Sequence, residues 1–144
     1  MLCKHLMKTS IVKAYKHSSI LDCAILMKEN NIGFIPIVYP DTDFIAGVVT
    51  DRDILTRAIC TGIPLSEDIY LISTNNYISC FEDDDISVAV TKMADNQIKR
   101  ILITNRQKQL CGIISLKEIA TNDNTNFFLN DLLKETCENR DLYL

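Results

Sequence analysis

This sequence of 144 residues has no excess of basic residues and no long apolar run, and each absence excludes a class of function. Lys and Arg number 15 against 19 Asp and Glu, for a net charge of -4, which argues against a face for nonspecific nucleic-acid binding. No window approaches the roughly 18 apolar residues that cross a bilayer, and no charged leader precedes an apolar stretch. We therefore expect a cytoplasmic protein that binds neither nucleic acid nor membrane.

Histidines and paired cysteines are also scarce. The two histidines, His5 and His17, occupy positions that suggest no catalytic role, and there is no C-x-x-C pair, Cys–His pair, Walker loop or metal-ligand cluster. We predict that the chain is not an enzyme, requires no cofactor and holds no metal. Without a secretion signal, the dispersed cysteines are interpreted as free thiols, most of them buried. They are Cys3, Cys23, Cys60, Cys80, Cys111 and Cys137.

An internal repeat organises the chain. Shifted by 66 residues, "SILDCAILMKENNIGFIPIV" (19–38) aligns with "DISVAVTKMADNQIKRILIT" (85–104), with identical residues at six pairs. Shifted by 65, "GVVTDRDI" (47–54) aligns with "GIISLKEI" (112–119). Such self-similarity predicts two copies of one supersecondary unit. The predicted divisions are repeat 1 at 1–64, repeat 2 at 65–121 and a helical tail at 122–144.

The pattern of each copy predicts a strand, a helix, a strand, a turn, a strand and a helix. In the first copy, apolar residues at helical spacing begin at Ile20, and Ser18 or Ser19 can cap that helix. The run "FIPIV" that follows is typical of a strand covered on both faces. The last helix is predicted to form one apolar face from Ile54, Leu55, Ala58 and Ile59.

Two further segments have a structural interpretation. The acidic run "EDDD" (82–85) precedes a helix of the second copy, where carboxylates cap free backbone N–H groups, so capping is preferred to a metal site. The tail has apolar residues at helical spacing, which favours a helix that covers a core edge or a subunit contact. These residues are Phe127, Phe128, Leu132 and Leu133.

A hydroxyl residue is followed three positions later by a carboxylate at both predicted junctions between a strand and a helix. The pairs are Thr50 with Asp53, and Ser115 with Glu118. One interpretation is a capping box, in which the two side chains satisfy backbone N–H groups of the first turn. The other is a ligand site, in which the carboxylate accepts from ribose hydroxyls and the hydroxyl contacts a phosphate. The motif alone leaves both open.

The tandem repeat, the "IGFIPIV" strand and the doubled "GVVTDRDI" junction resemble a pair of CBS domains, named after cystathionine β-synthase, that form one Bateman module. The resemblance covers about residues 1 to 121. The run "TDRDI" with Arg57 is similar in particular to small bacterial proteins that consist of little besides one such pair. The resemblance implies an α+β fold with two β-α-β-β-α repeats packed about a pseudo-twofold axis, plus a C-terminal helix. It also implies two clefts between the repeats that bind adenosyl ligands.

The resemblance implies roles for specific residues of the first copy. Asp53 would hold the ribose hydroxyls, Thr50 the sugar-phosphate, and Arg52 a phosphate. The base would be bordered by residues that lead into the first strand and by residues of the central strand. These are Ser10, Ile11 and Val12, together with Pro36 and Ile37.

The second copy departs from this pattern. The corresponding residues are Tyr77 and Ile78 at the base, with Ser115 and Glu118 at the junction, where Glu118 replaces the usual Asp. Lys99 and Arg100 occupy positions where some members of the family clamp phosphates, although both also fit solvent-exposed loop charges. We hypothesise one good site and one weak or vacant site. Alternatively, this basic pair serves the phosphate of a nucleotide held by the first copy.

The sequence therefore predicts a regulatory module that senses an adenine nucleotide (AMP, ADP or ATP) or S-adenosylmethionine. Binding would change the conformation of a homodimer, and an unidentified regulated protein would detect the change. The alternative is a structural or interaction protein that keeps the fold and no longer binds a nucleotide.

Overall fold

The computed structural model describes residues 1–137. The chain divides into two compact units. The first unit is Val12–Tyr77, and the second unit combines Met1–Ile11 with the described chain from Ile78 to residue 137. The second unit opens with the short helix α1 (Cys3–Leu6).

The first unit has a three-stranded sheet with strand order β1-β2-β3. Strands β1 and β2 are parallel, and β2 and β3 are antiparallel, with Phe34 opposite Thr50 and Pro36 opposite Val48. Helix α2 buries Ile20 and its neighbours one turn on against this sheet. The elements are β1 (Ala14–Tyr15), α2 (Ile20–Asn30), β2 (Phe34–Val38), β3 (Ile45–Thr50), α3 (Asp51–Asp53), a π-helix (Ile54–Ile59) and a 3-10 helix (Ile69–Ile72).

The last helix of the first copy corrects one prediction. Ile54 and Ala58 are buried, but Leu55 is 53% exposed and Ile59 is 57% exposed, so the four residues do not share one buried face. The segment is a π-helix, in which the Cys60 N–H donates to the Leu55 carbonyl five residues earlier. Its turns are wider than those of the α-helix on which the prediction relied.

The second unit repeats the plan with strand order β4-β5-β6. Its helix α4 begins after Asp85, whose side chain accepts the Ser87 N–H at 2.9 Å, and Asp84 accepts the Phe81 N–H at 2.8 Å. The bond from Ser87 to Asp85 confirms the prediction that the acidic run caps a helix, whereas the bond to Asp84 closes the turn before it. The elements are β4 (Ser79–Phe81), α4 (Ile86–Asp95), β5 (Arg100–Thr104), β6 (Leu110–Ser115), α5 (Leu116–Thr121), a 3-10 helix (Asn126–Phe128) and α6 (Leu129–Cys137).

Each unit contains the leading segment of the other sequence repeat. In the second unit, Leu2 pairs with Asp85 and Lys8 pairs with Ile113. In the first unit, the matching pairs are Ser19 with Asp68 and Val48 with Thr74. The predicted divisions at 64 and 121 follow the sequence repeat, whereas the compact units exchange these leading segments.

Gly47 and Gly112 mark where the exchanged segments cross the sheets. A Cβ atom on Gly47 would lie 2.7 Å from the backbone oxygen of Thr74. A Cβ atom on Gly112 would meet the side chain of Met7, with Cγ at 2.7 Å. The backbone of Thr74 leaves no room for a side chain at Gly47, and Met7 would have to shift to admit one at Gly112, so glycine fits this position in both repeats.

The tail contributes to the core of the second unit. Leu132 on α6 is fully buried in that core, and Phe128 packs against it while partly buried. Phe127 and Leu133 are exposed, so only half of the predicted apolar set covers a core edge. Residues 138–144 of the predicted tail lie outside the described residues.

The cysteines of the described chain are free thiols. Cys3, Cys23 and Cys80 are buried, Cys111 is half-buried, and Cys60 is exposed. The side chain of Cys137 lies outside the described residues. The prediction of free, mostly buried thiols is confirmed for the five that are described.

Candidate functional site

The first junction is a capping box at the end of β3. The Asp53 N–H donates to Thr50 Oγ1 at 3.1 Å, and the Thr50 N–H donates to Asp53 Oδ2 at 2.9 Å. Thr50 has extended backbone angles, with φ -114° and ψ 163°, so its side chain turns back over the first helical turn. The capping interpretation of the first motif is therefore confirmed.

Arg57 completes this junction, and its role was not predicted. Its Nε lies 3.5 Å from Asp53 Oδ1, four residues earlier on the helix. Its Nη1 donates to the Ile72 carbonyl at 3.3 Å and to Thr74 Oγ1 at 3.2 Å. Asp53 and Arg57 are four residues apart, which is the spacing of an ion pair on a helix, so the sequence alone could have indicated their contact. The contacts with Ile72 and Thr74 had no such signal, because they depend on the exchanged segment.

The Asp53 carboxylate is held in place and still reachable. Its side chain is 17% exposed, and each of its oxygens already has one protein partner. A carboxylate offers about four lone-pair positions, so about two remain for a ligand. Asp51 and Arg52, beside it, are exposed.

The second junction has the same kind of capping box, but the charged residues around it differ. The Ser115 N–H donates to Glu118 Oε2 at 2.9 Å, and the Ser115 hydroxyl donates to the same oxygen. Lys99 lies beside it, because its carbonyl accepts the Leu116 N–H at 3.0 Å. Arg100, opposite Ser115 in the sheet, and Lys117 add two more cations. One carboxylate therefore stands among three cationic residues, whereas two carboxylates and two arginines balance at the first junction.

Among the residues predicted to border the base, the second unit has one backbone hydrogen bond that the first unit lacks. In the second unit, the Leu102 N–H donates to the Ile78 carbonyl at 3.4 Å. In the first unit, the corresponding residue is Pro36, which has no N–H, so the Val12 carbonyl lacks this partner. The same difference explains why β1 has two residues and β4 has three.

The structure divides the predicted site residues between the two units. The first unit brings together the pair Thr50 and Asp53 with the sheet that carries Pro36. The second unit brings together Ser115 and Glu118 with Lys99. The first unit holds Val12, Pro36, Ile37, Thr50, Arg52, Asp53 and Tyr77, and the second holds Ser10, Ile11, Ile78, Lys99, Arg100, Ser115 and Glu118.

The described residues contain neither a metal-ligand group nor a helix that could span a membrane. Between residues 1 and 137, no three His, Cys, Asp or Glu side chains form a group that would hold a metal ion. Across the same range, no helix combines the length and apolar character needed to cross a bilayer.

Comparison with known families agrees with this architecture. The model of the CBS domain matches the chain twice, at residues 3–59 and 67–123. The chain belongs to the CBS-domain family, as a tandem pair. CBS domains are binding or regulatory modules rather than catalytic ones, and this holds for the matched part of the chain.

Three known proteins are similar to this chain in sequence or in fold. The uncharacterized protein YlbB of Bacillus subtilis is 31% identical over 135 residues, which cover 94% of this chain and 90% of that protein. The CBS domain protein PAE2072 from Pyrobaculum aerophilum, solved in complex with AMP, has a TM-score of 0.80 at 24% identity and 90% and 98% coverage. The CBS pair of protein MJ0100, solved with 5′-methylthioadenosine and S-adenosyl-L-methionine, has a TM-score of 0.72 at 24% identity and 83% and 93% coverage.

Proposed function

We propose that this chain is a regulatory module that senses an adenosyl ligand, and that its main site is the Thr50–Asp53 junction of the first unit. The observation that carries the proposal is the Asp53 carboxylate, which is fixed by Thr50 and Arg57 and remains partly exposed. A prepositioned acceptor loses little conformational freedom when a ligand binds, which favours affinity.

The ribose is the part of the ligand that this carboxylate suits. Two neighbouring sugar hydroxyls are donors, and Asp53 has about two lone-pair positions left for them. Both oxygens of Asp53 are already oriented by protein donors, so a ribose would meet an ordered acceptor. Glu118 has the same capping role but places both Ser115 donors on one oxygen, and its longer side chain loses more rotamer freedom when it is fixed.

The adenine base finds a matching acceptor in the first unit. The Val12 carbonyl lacks the N–H partner that Ile78 has, because Pro36 cannot donate. An exocyclic amine is a donor and would satisfy this oxygen, whereas a 6-oxo base would present a second acceptor to it. The first unit is therefore proposed to prefer 6-amino purines.

The phosphate charge distinguishes the two junctions further. Asp51 and Asp53 offset Arg52 and Arg57 at the first junction, so it suits ligands that are less negatively charged than ADP and ATP, such as AMP or S-adenosylmethionine. The three cations at the second junction suit a more highly charged phosphate chain. We infer that ADP and ATP bind less tightly than AMP at the first junction, with Arg52 as the phosphate contact. The second junction is the weaker adenosyl site.

The known ligands of related proteins make this ligand class the first to test. PAE2072 was solved with AMP, and the CBS pair of MJ0100 with 5′-methylthioadenosine and S-adenosyl-L-methionine. These are ligands of those proteins. They share an adenosyl group, which is the group that Asp53 and the Val12 carbonyl would recognise.

A sensor also requires two conformations with different ligand affinity, since a ligand that binds both equally shifts nothing. We propose that the conformational equilibrium belongs to a homodimer and that a regulated protein detects it. Light scattering after size exclusion, with and without AMP, measures the subunit number. A monomer in both conditions would contradict the dimer and leave ligand binding to be judged separately.

A ligand panel tests the proposed function. AMP, ADP, ATP, S-adenosylmethionine and IMP are titrated by calorimetry and by thermal shift. A ligand that binds only the folded protein raises its stability, and about 2.7 kcal/mol is expected at a concentration 100 times Kd. We expect AMP or S-adenosylmethionine to bind more tightly than ATP and IMP. If no adenosyl ligand gives heat or raises Tm, both junctions are helix caps only and the scaffold alternative is correct.

A further inference from the structure

Two buried cysteines face each other in the second unit. The Sγ atoms of Cys3 on α1 and Cys80 on β4 lie 3.8 Å apart, although the residues are 77 positions apart in the sequence. Cys3 is 0% exposed and Cys80 is 3% exposed. The exchange of leading segments is what brings them together, since Cys3 belongs to the leader of the first repeat.

Helix α1 holds Cys3 in this position through backbone bonds. The Cys3 N–H donates to the Asp84 carbonyl at 2.9 Å, and the Lys4 N–H donates to the Glu82 carbonyl at 2.8 Å. The N-terminal ammonium group lies 3.4 Å from the Asp85 carboxylate. These backbone hydrogen bonds and this ion pair therefore hold the two thiols next to each other.

The first unit shows that this position does not require sulfur. The residues that correspond to Cys3 and Cys80 are Ile69 and Ala14, which are buried in the core of the first unit. Aliphatic side chains fill the same place there. The packing of the fold therefore does not require the two thiols of the second unit.

We propose that Cys3 and Cys80 form a reversible disulfide that pins the leading segment to the second unit. A disulfide has an S–S distance of about 2.05 Å, so the two sulfur atoms, now 3.8 Å apart, must approach by a little under 2 Å. Among the five thiols that the structure describes, no other two lie in contact.

The two thiols are also chemically unequal. The hydrogen bond between the two thiols lowers the pKa of Cys3 and, together with burial, raises the pKa of Cys80. Cys3 is therefore the nucleophile and Cys80 the resolving thiol. Cys23, equally buried but without a thiol partner, has a pKa that burial raises to about 11, so it is an unreactive control.

The oxidant is a hydroperoxide, such as hydrogen peroxide. The Cys3 thiolate attacks one peroxide oxygen, the O–O bond breaks, and the departing hydroxide takes a proton to become water, which leaves a sulfenic acid on Cys3. The Cys80 sulfur then attacks the Cys3 sulfur, the S–O bond breaks, and hydroxide leaves with the Cys80 proton as a second water. Two electrons pass from the two thiols to the peroxide. Burial requires α1 to open briefly before the first step.

The bond would close a ring that contains the whole first unit, since Val12–Tyr77 lies between the two cysteines. Cross-linking a long loop restricts the unfolded chain and stabilises the folded one. The leading segment, which is otherwise held by noncovalent contacts, could no longer detach. This inference rests on the fold alone and is independent of the proposed ligand.

The experiment uses the full chain with Cys60→Ser, which removes the exposed thiol and its intermolecular disulfides. The protein is treated with hydrogen peroxide, unfolded, alkylated with iodoacetamide and mapped by mass spectrometry. We expect a linked peptide of Cys3 and Cys80 that is lighter than its two parts by two hydrogen atoms, with Cys23 alkylated. We also expect Tm to rise by about 5–10 °C and to return after dithiothreitol treatment.

The matched variant is Cys80→Ala in the same background. It places alanine at position 80, as the first unit has at the corresponding residue, Ala14. It is expected to fold, as judged by circular dichroism, and to show no peroxide-dependent rise in Tm. The proposal is overturned if peroxide leaves Cys3 and Cys80 alkylated. It is overturned equally if Cys3 becomes a sulfinic acid without a linked peptide, or if Cys80→Ala gives the same rise in Tm.

Discussion

The two junctions of this chain share a cap and differ in everything that surrounds it. Thr50 with Asp53 and Ser115 with Glu118 both satisfy the first helical turn. Asp53 pairs with Arg57, four residues later, whereas the corresponding residue after Glu118 is an asparagine, Asn122. Only the second junction has a basic pair at the start of its central strand.

The difference teaches how one repeat can be specialised without changing the fold. The capping box stabilises each helix and must be kept in both units. Ligand recognition depends on the lone-pair positions that capping leaves free on the carboxylate and on the charges of neighbouring residues. These can change in one unit without changing the capping box. The following predictions, from the largest expected effect to the smallest, each concern a feature in which the two units differ.

Substitution at the paired glycines is expected to have the largest effect. Gly47→Ala should lower the free energy of unfolding by about 2–3 kcal/mol, because the new methyl group meets the backbone oxygen of Thr74. Gly112→Ala should cost about 1 kcal/mol less, since its clash is with the adaptable side chain of Met7. Urea denaturation measures both. Equal costs would show that the two leading segments pack with the same rigidity.

Removal of Arg57 tests the feature that only the first junction has. Arg57→Ala should lower stability by about 1 kcal/mol, because it breaks the pair with Asp53 and the bonds to Ile72 and Thr74. The ion-pair part should shrink at high salt, since Arg57 is half-exposed. Arg52→Ala is the control, because it removes the same charge from an exposed neighbour and should change stability by less than about 0.5 kcal/mol. Equal losses in both variants would assign the effect to net charge.

Restoring the missing N–H should have the smallest effect. Pro36→Ala gives the first unit the donor that Leu102 provides in the second, so it competes for the Val12 carbonyl. The affinity for AMP is expected to fall about threefold and that for IMP to stay unchanged, because one shared hydrogen bond is worth about 1 kcal/mol or less. Calorimetry with both nucleotides gives the ratio. A parallel change in both would mean that Val12 does not read the base.

The repeated elements were predictable because their signals are local. Hydrophobic spacing indicated α2 and α4, the apolar runs indicated β2 and β5, and the hydroxyl-to-carboxylate spacing indicated both caps. Each depends on residues within a few positions of one another. The predicted function of the acidic run before α4 was correct for the same reason.

The rest depended on contacts between distant residues. The exchange of leading segments places Thr74 on β3 and Met7 on β6, and nothing within either segment indicates its partner. The hydrogen bond from Arg57 to Thr74 and the contact between Cys3 and Cys80 both follow from that exchange. The π-helix was missed because Ile54–Ile59 has an ordinary helical composition, and its hydrogen-bond pattern is selected by tertiary packing.

The most direct test of the unequal junctions is the affinity for AMP of Asp53→Ala beside that of Glu118→Ala. Both variants lose a capping-box carboxylate, so helix destabilisation affects them alike and is measured separately by urea denaturation. Calorimetric titration should show at least a tenfold loss of AMP affinity for Asp53→Ala, equivalent to about 1.4 kcal/mol, and a change of less than about twofold for Glu118→Ala. Unchanged affinity in Asp53→Ala, or an equal loss in both variants, would contradict the assignment of the main site to the first unit.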